Sequence, residues 1–238
     1  MSPPEPAAAP TVAQPPDRQG LTGSLRVGVL VPWANTAVEQ ELPGWAGDVV
    51  YHYARLVPAE RTTALDDSFL GGLASAVPAA LGQLDRLPLA GVLLACTSVG
   101  FSGLADDLPA VVSAFDALLV ELRRQRARRI VLATPYPELL TLREVSAFAA
   151  AGVGVLDHIS LGRVDDLGSI PAADVVDLLD RLDPSAIAEA DAVVLSCTAW
   201  HTAGLLGDLY RRHHRPVISS NLALARSAAG FADSASRP

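Results

Sequence analysis

The two cysteines of the chain occupy matching positions in two similar stretches. Cys96 and Cys197 are the only cysteines among the 238 residues, and each follows an apolar run and precedes a threonine. A thiolate is a nucleophile, and a thiol can also transfer a proton. Two such groups facing one pocket would suit chemistry in which a proton or a carbon centre is approached from two sides.

The residues around each cysteine predict a strand-to-helix turn. The apolar runs 92–95 and 193–195 are typical of buried strands, and a small-residue turn and a helical pattern follow each of them. Backbone N–H groups at the start of a helix bind carboxylate oxygens, and the same helix end favours a thiolate. We therefore expect a carboxylate site beside each thiol and a lowered pKa for Cys96.

From residue 24 onward, strand and helix patterns alternate, which is typical of parallel α/β sheets. We predict an α/β fold of two similar doubly wound parallel-sheet halves, related by a pseudo-twofold axis, with the active site between them. The first half covers 24–128 and carries Cys96, and the second covers 129–230 and carries Cys197. The Pro/Ala-rich segment 1–23 and the segment 231–238 are predicted to be disordered tails.

Small polar residues follow several of the predicted strands. Ligands of open α/β sheets bind outside the carboxyl ends of the strands, so these residues are candidates for substrate binding. Asn35 is also suited to cap a helix, Tyr136 to pack in a loop, and His201 either to assist proton transfer at Cys197 or to lie at a solvated helix position. The candidates for substrate binding at these strand ends are Asn35, Thr36, Thr97, Ser98, Tyr136 and Thr198.

Composition excludes several classes of protein. The net charge of −8 and the pI near 5.0 argue against a nucleic-acid partner. All 18 basic residues are arginine, which excludes a lysine Schiff base and a P-loop lysine, and no Gly-x-Gly-x-x-Gly stretch follows the first strand. Without a signal peptide or a long apolar span, we expect a cytoplasmic protein with free thiols, no membrane contact, no cofactor and no metal.

Five short motifs follow one another between residues 26 and 230. They are Val31-Pro32-x-x-Asn35-Thr36-x-x-Glu39, Cys96-Thr97-Ser98, Ala133-Thr134-Pro135-Tyr136, Ser196-Cys197-Thr198 and Pro216-Val217-Ile218-Ser219-Ser220-Asn221. In this order they give the chain a resemblance to the aspartate/glutamate racemase superfamily, within its branch of maleate cis-trans isomerases and arylmalonate decarboxylases. The resemblance implies an enzyme without a cofactor that acts on a small carboxylic acid, and it leaves open a homodimer or a higher homo-oligomer.

The resemblance also implies roles for single residues. Cys96 would add to one alkene carbon as a thiolate, and Cys197 would exchange a proton at the neighbouring carbon. The candidates named above would hold carboxylates and stabilise enolate-like charge. Racemisation or epimerisation of an amino-acid-like substrate, decarboxylation of a malonate-type acid, and binding without turnover remain alternatives. Decarboxylation is the less expected, because arylmalonate decarboxylases keep only the second cysteine.

The chain departs from the maleate isomerase pattern at several positions. Trp33 stands where a small residue is usual, and Ala199 and His201 stand where an amide and an arginine are frequent. Asp166 stands where maleate isomerases place asparagine, and it is included among the substrate-binding candidates. A fixed carboxylate there would repel a dianion. We therefore expect a larger or less charged acid than maleate as the preferred substrate.

Overall fold

The computed structural model describes residues 25–235 except 47, 63, 105–107 and 109–110. The segment 1–23, predicted to be a tail, lies outside the described residues. Two four-stranded sheets, in which all paired strands are parallel, have the same strand order, β2-β1-β3-β4 and β6-β5-β7-β8. The strands are β1 (Leu25–Pro32), β2 (Val49–Leu56), β3 (Gly91–Leu94), β4 (Val111–Ser113), β5 (Arg129–Thr134), β6 (Gly154–Ser160), β7 (Ala192–Leu195) and β8 (Val217–Ser219). The repeated order confirms the predicted α/β fold of two similar halves.

Helices connect the strands. Within the described residues, no helix is both long enough and apolar enough to cross a membrane. The helices are α1 (Ala37–Trp45), α2 (Asp67–Gly82), α3 (Thr97–Phe101), α4 (Ala114–Arg124), α5 (Glu138–Ala150), α6 (Ala172–Leu179), α7 (Pro184–Glu189), α8 (Leu206–His213) and α9 (Ser220–Ala235).

The predicted long helix over 104–125 is wrong in its first part. Residues 111–113 form β4, which pairs with β3 and completes the first sheet. The helix α4 begins only after Ser113, whose hydroxyl accepts from the backbone N–H of Asp116 at 3.1 Å, while the Asp116 carboxylate accepts from the Ser113 backbone N–H at 3.2 Å. This reciprocal capping box sets the helix start.

The two sheets are packed in two apolar clusters, one on each face, and each cluster contains residues from both halves. Along β1 and β3, Leu30 and Leu94 enter one cluster, whereas Val29 and Leu93 enter the other, because successive side chains of a strand point to opposite faces. The first cluster also contains both cysteines. The two halves therefore share their cores, and the thiols lie where these halves meet.

The last helix crosses from the second half to the first. It follows β8 directly, packs against α1 and α4, and continues to Ala235, past the predicted boundary at 230. Phe231 lies so close to β3 that a Cβ at Gly91 would fall 2.6 Å from its ring. A larger residue at position 91 would force the Phe231 ring to shift, so the strand before Cys96 is in contact with the end of α9.

Candidate active site

A cavity of about 520 Å³ lies between the halves, at the carboxyl ends of β1, β3, β5 and β7. All of the site residues predicted from the sequence line it, together with an apolar wall and a short acidic segment. The predicted residues in the lining are Asn35, Thr36, Cys96, Thr97, Ser98, Tyr136, Asp166, Cys197 and Thr198, and the others are Pro32, Trp33, Ala34, Leu65, Phe69, Asp165, Leu167, Gly168, Ser169 and Ala199.

The first thiol stands at the N-terminus of a one-turn helix. Cys96 is the residue that precedes α3, in extended conformation, and is 5% exposed. Its sulfur lies 3.5 Å from the hydroxyl oxygen of Ser98, and the backbone N–H groups of Ser98 and Val99 also donate to it. These donors would stabilise a negative charge on the sulfur.

The second thiol has a different environment. Cys197 is 4% exposed, and its sulfur accepts from the backbone N–H of Ala199 at 3.4 Å and from the hydroxyl of Tyr136. The helix predicted directly after it is wrong, since residues 198–205 form a loop and α8 begins at Leu206. Only the first cysteine therefore precedes a helix.

The lowered pKa expected for Cys96 is also wrong. Burial raises the pKa of the Cys96 thiol, and it raises that of Cys197 to about 12. The helix α3 has only five residues, and none of the described residues that line the cavity is an arginine, a lysine or a histidine. The loss of hydration therefore outweighs the local hydrogen bonds.

Both thiols should consequently react slowly with iodoacetamide in the protein without ligand. At pH 7.5 we expect alkylation at least about tenfold slower than that of a free thiol, with the rate still rising toward pH 10. Mass spectrometry of the two cysteine peptides measures each rate, and the chain unfolded in guanidinium chloride supplies the reference. Alkylation of Cys96 faster than this reference at pH 7.5 would contradict the raised pKa.

The polar side chains of the cavity are held by contacts between the halves. The Asn35 side-chain amide donates to the Thr198 hydroxyl at 3.0 Å, and the Thr198 hydroxyl donates to the carbonyl of Ala95 at 2.8 Å. Thr97 donates to Ser220 at 3.1 Å, at the start of α9. These bonds hold the polar groups in position before any ligand arrives, which is the arrangement that stabilises developing negative charge best.

Asn35 also has the capping role predicted for it. Its side-chain oxygen accepts from the backbone N–H of Val38 at 3.3 Å, in the first turn of α1. The same side chain thus orders the helix and reaches the second half.

Ser220, which accepts the hydrogen bond of Thr97, was part of a motif in the sequence but was not predicted as a site residue.

The mouth of the cavity combines acidic and apolar groups. Asp165 and Asp166 are exposed, and the Asp166 carboxylate accepts from the Ser169 hydroxyl at 2.6 Å. The ring of Trp33 has the Arg61 guanidinium 5.8 Å from its centroid. His201 does not belong to the lining among the described residues. The acidic mouth is consistent with the expectation that a dianion is a poor ligand, although the expected role of Asp166 remains a prediction.

Glu41, a buried carboxylate of α1 that was not predicted as a site residue, orders the loop after Cys197. Its Oε1 accepts from the backbone N–H groups of Thr202 at 2.6 Å and Ala203 at 2.8 Å, and its Oε2 accepts from the Asn221 amide at 2.8 Å. Asn221 also donates to the carbonyl of Thr198 at 3.1 Å. Glu41 lies next to Leu42 on the buried face of α1, where a charged residue is unusual. This position in the helical pattern could have indicated a structural role for the carboxylate.

The fold and the cavity together define an α/β protein of two pseudo-symmetric halves, each of which brings one free thiol to a shared cleft. The sequence profile of the arylmalonate decarboxylase family matches residues 102–237, more than half of the chain. The chain belongs to this family, and the resemblance to the branch of maleate isomerases and arylmalonate decarboxylases is thereby confirmed.

Individual relatives are similar over most of their length. The maleate isomerase of Geobacillus stearothermophilus is 26% identical over 223 residues, 82% of this chain and 86% of that protein. The maleate isomerase of Nocardia farcinica is 28% identical over 230 residues, 86% and 89% of the two chains. A structure of a cysteine-to-serine variant of Nocardia farcinica maleate cis-trans isomerase, with a covalently bound succinylcysteine intermediate, superposes with a TM-score of 0.80 at 24% identity, covering 88% of this chain and 93% of the other.

Proposed function

We propose that this protein is an isomerase that acts without a cofactor on a small unsaturated carboxylic acid, in the manner of a maleate cis-trans isomerase. The observation that carries the proposal is the pair of free thiols, one from each half, in a single cavity lined by hydroxyl and amide groups. Two relatives that match over most of their length are maleate isomerases. Binding alone would require neither thiol.

The reaction begins with the Cys96 thiolate and the Cys197 thiol. The Cys96 sulfur adds to one alkene carbon, and Cys197 gives its proton to the neighbouring carbon, so that a C–S bond, a C–H bond and a Cys197 thiolate result. The remaining carbon–carbon single bond rotates. The Cys197 thiolate then removes a proton from the carbon it protonated, the C–S bond breaks, and the trans alkene and the Cys96 thiolate are restored.

The surroundings of the two thiols support this division of roles. Burial raises the pKa of Cys96, but three hydrogen-bond donors, from Ser98 and Val99, face its sulfur and oppose that rise. Burial raises the pKa of Cys197 to about 12, which keeps its proton available for transfer. The covalent succinylcysteine intermediate in the Nocardia farcinica enzyme is the kind of adduct that the proposed addition would form.

The other polar residues of the cavity would receive the carboxylate. In this proposal the free N–H of the Asn35 amide donates to a carboxylate oxygen, and the Thr97 and Thr198 hydroxyls exchange their bonds to Ser220 and Ala95 for bonds to the carboxylate. Thr36 and Ser98 lie beside them, and Tyr136 stabilises enolate-like charge and orients Cys197. Burial raises the pKa of Tyr136 well above its usual value, so that its hydroxyl stays protonated and donates to the sulfur. Hydrogen bonds alone would hold the substrate, since none of the described residues that line the cavity is an arginine, a lysine or a histidine.

Proton NMR in deuterated water tests the proposed function and separates it from its alternatives. The protein is incubated with maleate, an arylmalonate or aspartate. Conversion of the cis to the trans diacid, even if slow, is the expected result. Release of carbon dioxide from the arylmalonate would indicate a decarboxylase, and exchange of the α-proton of aspartate a racemase. No change in any substrate would overturn enzymatic function toward these acids.

Replacement of Asp166 by asparagine should improve turnover of maleate. The change removes one negative charge from the mouth of the cavity. We expect kcat/KM for maleate to rise about tenfold, which corresponds to an activation free energy lower by about 1.4 kcal/mol. The kinetics of a monocarboxylate substrate should change little.

Asp174→Asn is the matched control for Asp166→Asn. It removes the same charge from an exposed position of α6 outside the cavity lining. If Asp166→Asn and Asp174→Asn show equal kcat/KM for maleate, repulsion by Asp166 does not limit the reaction.

A further inference from the structure

A buried carboxyl group lies behind the second thiol and has no part in the reaction described above. Glu144 is on α5 and is 0% exposed. The Ser196 hydroxyl, also fully buried, donates to its Oε1, and its Oε2 has no hydrogen-bond partner among the described residues. Because Ser196 directly precedes Cys197, a change at Glu144 acts on the strand end that carries the thiol.

The charged groups around Glu144 leave its own charge uncompensated. On α5 itself, Arg143 and Glu138 are exposed and pair with Asp67 and His158 respectively. The short helix α3, which packs against α5, has no titratable side chain. On β6, Asp157 and His158 are half-buried. A negative charge on Glu144 raises the pKa of both Tyr136 and Cys197. A negative charge on Cys96 also raises the pKa of these two groups.

Burial raises the pKa of Glu144 to about 8, and the Ser196 hydrogen bond only partly opposes this. At neutral pH the side chain therefore carries a proton. At higher pH it loses this proton to solvent, and a negative charge appears beside Tyr136 and Cys197. A negative charge at that position disfavours a second one on the Cys197 sulfur.

We propose that Glu144 is a positioning residue for the second thiol, whose neutral form holds Ser196 in place and whose ionised form opposes the Cys197 thiolate. Its importance for catalysis rests on the proposed function, in which that thiolate forms in every cycle. The effect on the thiol itself does not depend on which reaction the protein performs. Glu144 makes no bond to substrate in this proposal.

Alkylation of Cys197 by iodoacetamide measures the effect directly. We compare the wild-type protein with Glu144→Gln, which keeps the shape of the side chain but cannot ionise. At pH 6.5 the two should react at similar rates. At pH 9 we expect Cys197 of Glu144→Gln to react about threefold faster or more, because no carboxylate opposes its thiolate. Glu138→Gln, an exposed change on the same helix, should follow the wild type throughout.

A second variant keeps the test decisive if Glu144→Gln does not fold. Ser196→Ala retains the carboxyl group but removes the hydrogen bond that favours its ionised form. The pH at which Glu144 begins to slow Cys197 alkylation should therefore move upward. Superimposable alkylation profiles for the wild type and whichever variant folds would overturn the proposal, whatever the activity of the enzyme.

The pH profile of turnover gives a separate measurement. For a substrate that is converted, the ratio of kcat/KM of Glu144→Gln to that of the wild type isolates the effect of Glu144, because both proteins share the titration of Cys96. We expect this ratio to rise about threefold or more between pH 7 and pH 9. A ratio that does not change with pH would contradict the catalytic part of the proposal. Absence of turnover alongside a clear difference in alkylation would refute the proposed function but not the role of Glu144.

Discussion

Replacement of Cys96 by alanine should abolish turnover, because it removes the atom that bonds to the substrate. We expect kcat/KM to fall by about 10⁴-fold or more, a loss in the range found when a nucleophile is deleted. The comparison requires that the variant is folded, which circular dichroism and the Tm establish. Retention of most of the turnover by Cys96→Ala would refute the covalent mechanism.

Replacement of the second thiol should have a smaller effect of a different kind. In Cys197→Ser a hydroxyl, which gives up a proton far less readily than a thiol, takes the place of the acid. Once solvent has protonated the neighbouring carbon, the serine hydroxyl is too weak a base to remove that proton again, so the covalent adduct on Cys96 should accumulate. Intact-protein mass spectrometry should find the mass of the substrate added in Cys197→Ser and not in Cys96→Ala.

Loss of the Glu41 carboxylate should destabilise the protein and disturb the site together. Glu41→Ala leaves the buried backbone N–H of Thr202 and the half-buried one of Ala203 without their acceptor, and the Asn221 amide keeps only its bond to the carbonyl of Thr198. We expect the free energy of unfolding to fall by about 3 kcal/mol. We also expect kcat/KM to fall at least about tenfold, because the loop after Cys197 loses its anchor. Denaturation in guanidinium chloride and steady-state kinetics measure the two effects.

Two further variants separate the role of the carboxylate from that of the helix. Gln40→Ala changes the neighbouring, exposed position of α1 and should alter the free energy of unfolding by no more than about 0.5 kcal/mol. Glu41→Gln keeps an oxygen for the backbone N–H groups but turns its own amide toward that of Asn221, so its stability should be intermediate. Wild-type stability in Glu41→Ala would show that water replaces the carboxylate without cost.

The lining of the cleft could be predicted because it follows from local rules. Strand patterns locate the carboxyl ends of the strands, and parallel sheets gather ligands at those ends. The strand β4 escaped prediction because three residues are too few to interrupt a helical pattern. Its identity depends on pairing with β3, which is not visible in the local sequence.

The residues that were missed act across large separations in the chain. Glu41 bonds to residues 161 and 180 positions away, and Glu144 bonds to Ser196 at a separation of 52. The error over the Cys96 pKa has the same origin. A helix N-terminus is visible in the sequence, whereas the degree of burial depends on how both halves close over the thiol.

Because α9 crosses from the second half to the first, it affects the order in which the parts of the chain fold. The first sheet and α4 are synthesised early, but the residues that cover them belong to α9, the last helix of the described chain. The first half therefore cannot complete its core while the ribosome is still translating the second. The core of the first half is completed after the second half has been translated, rather than before it. The cleft and both its thiols take shape only once α9 is available to pack against the first sheet.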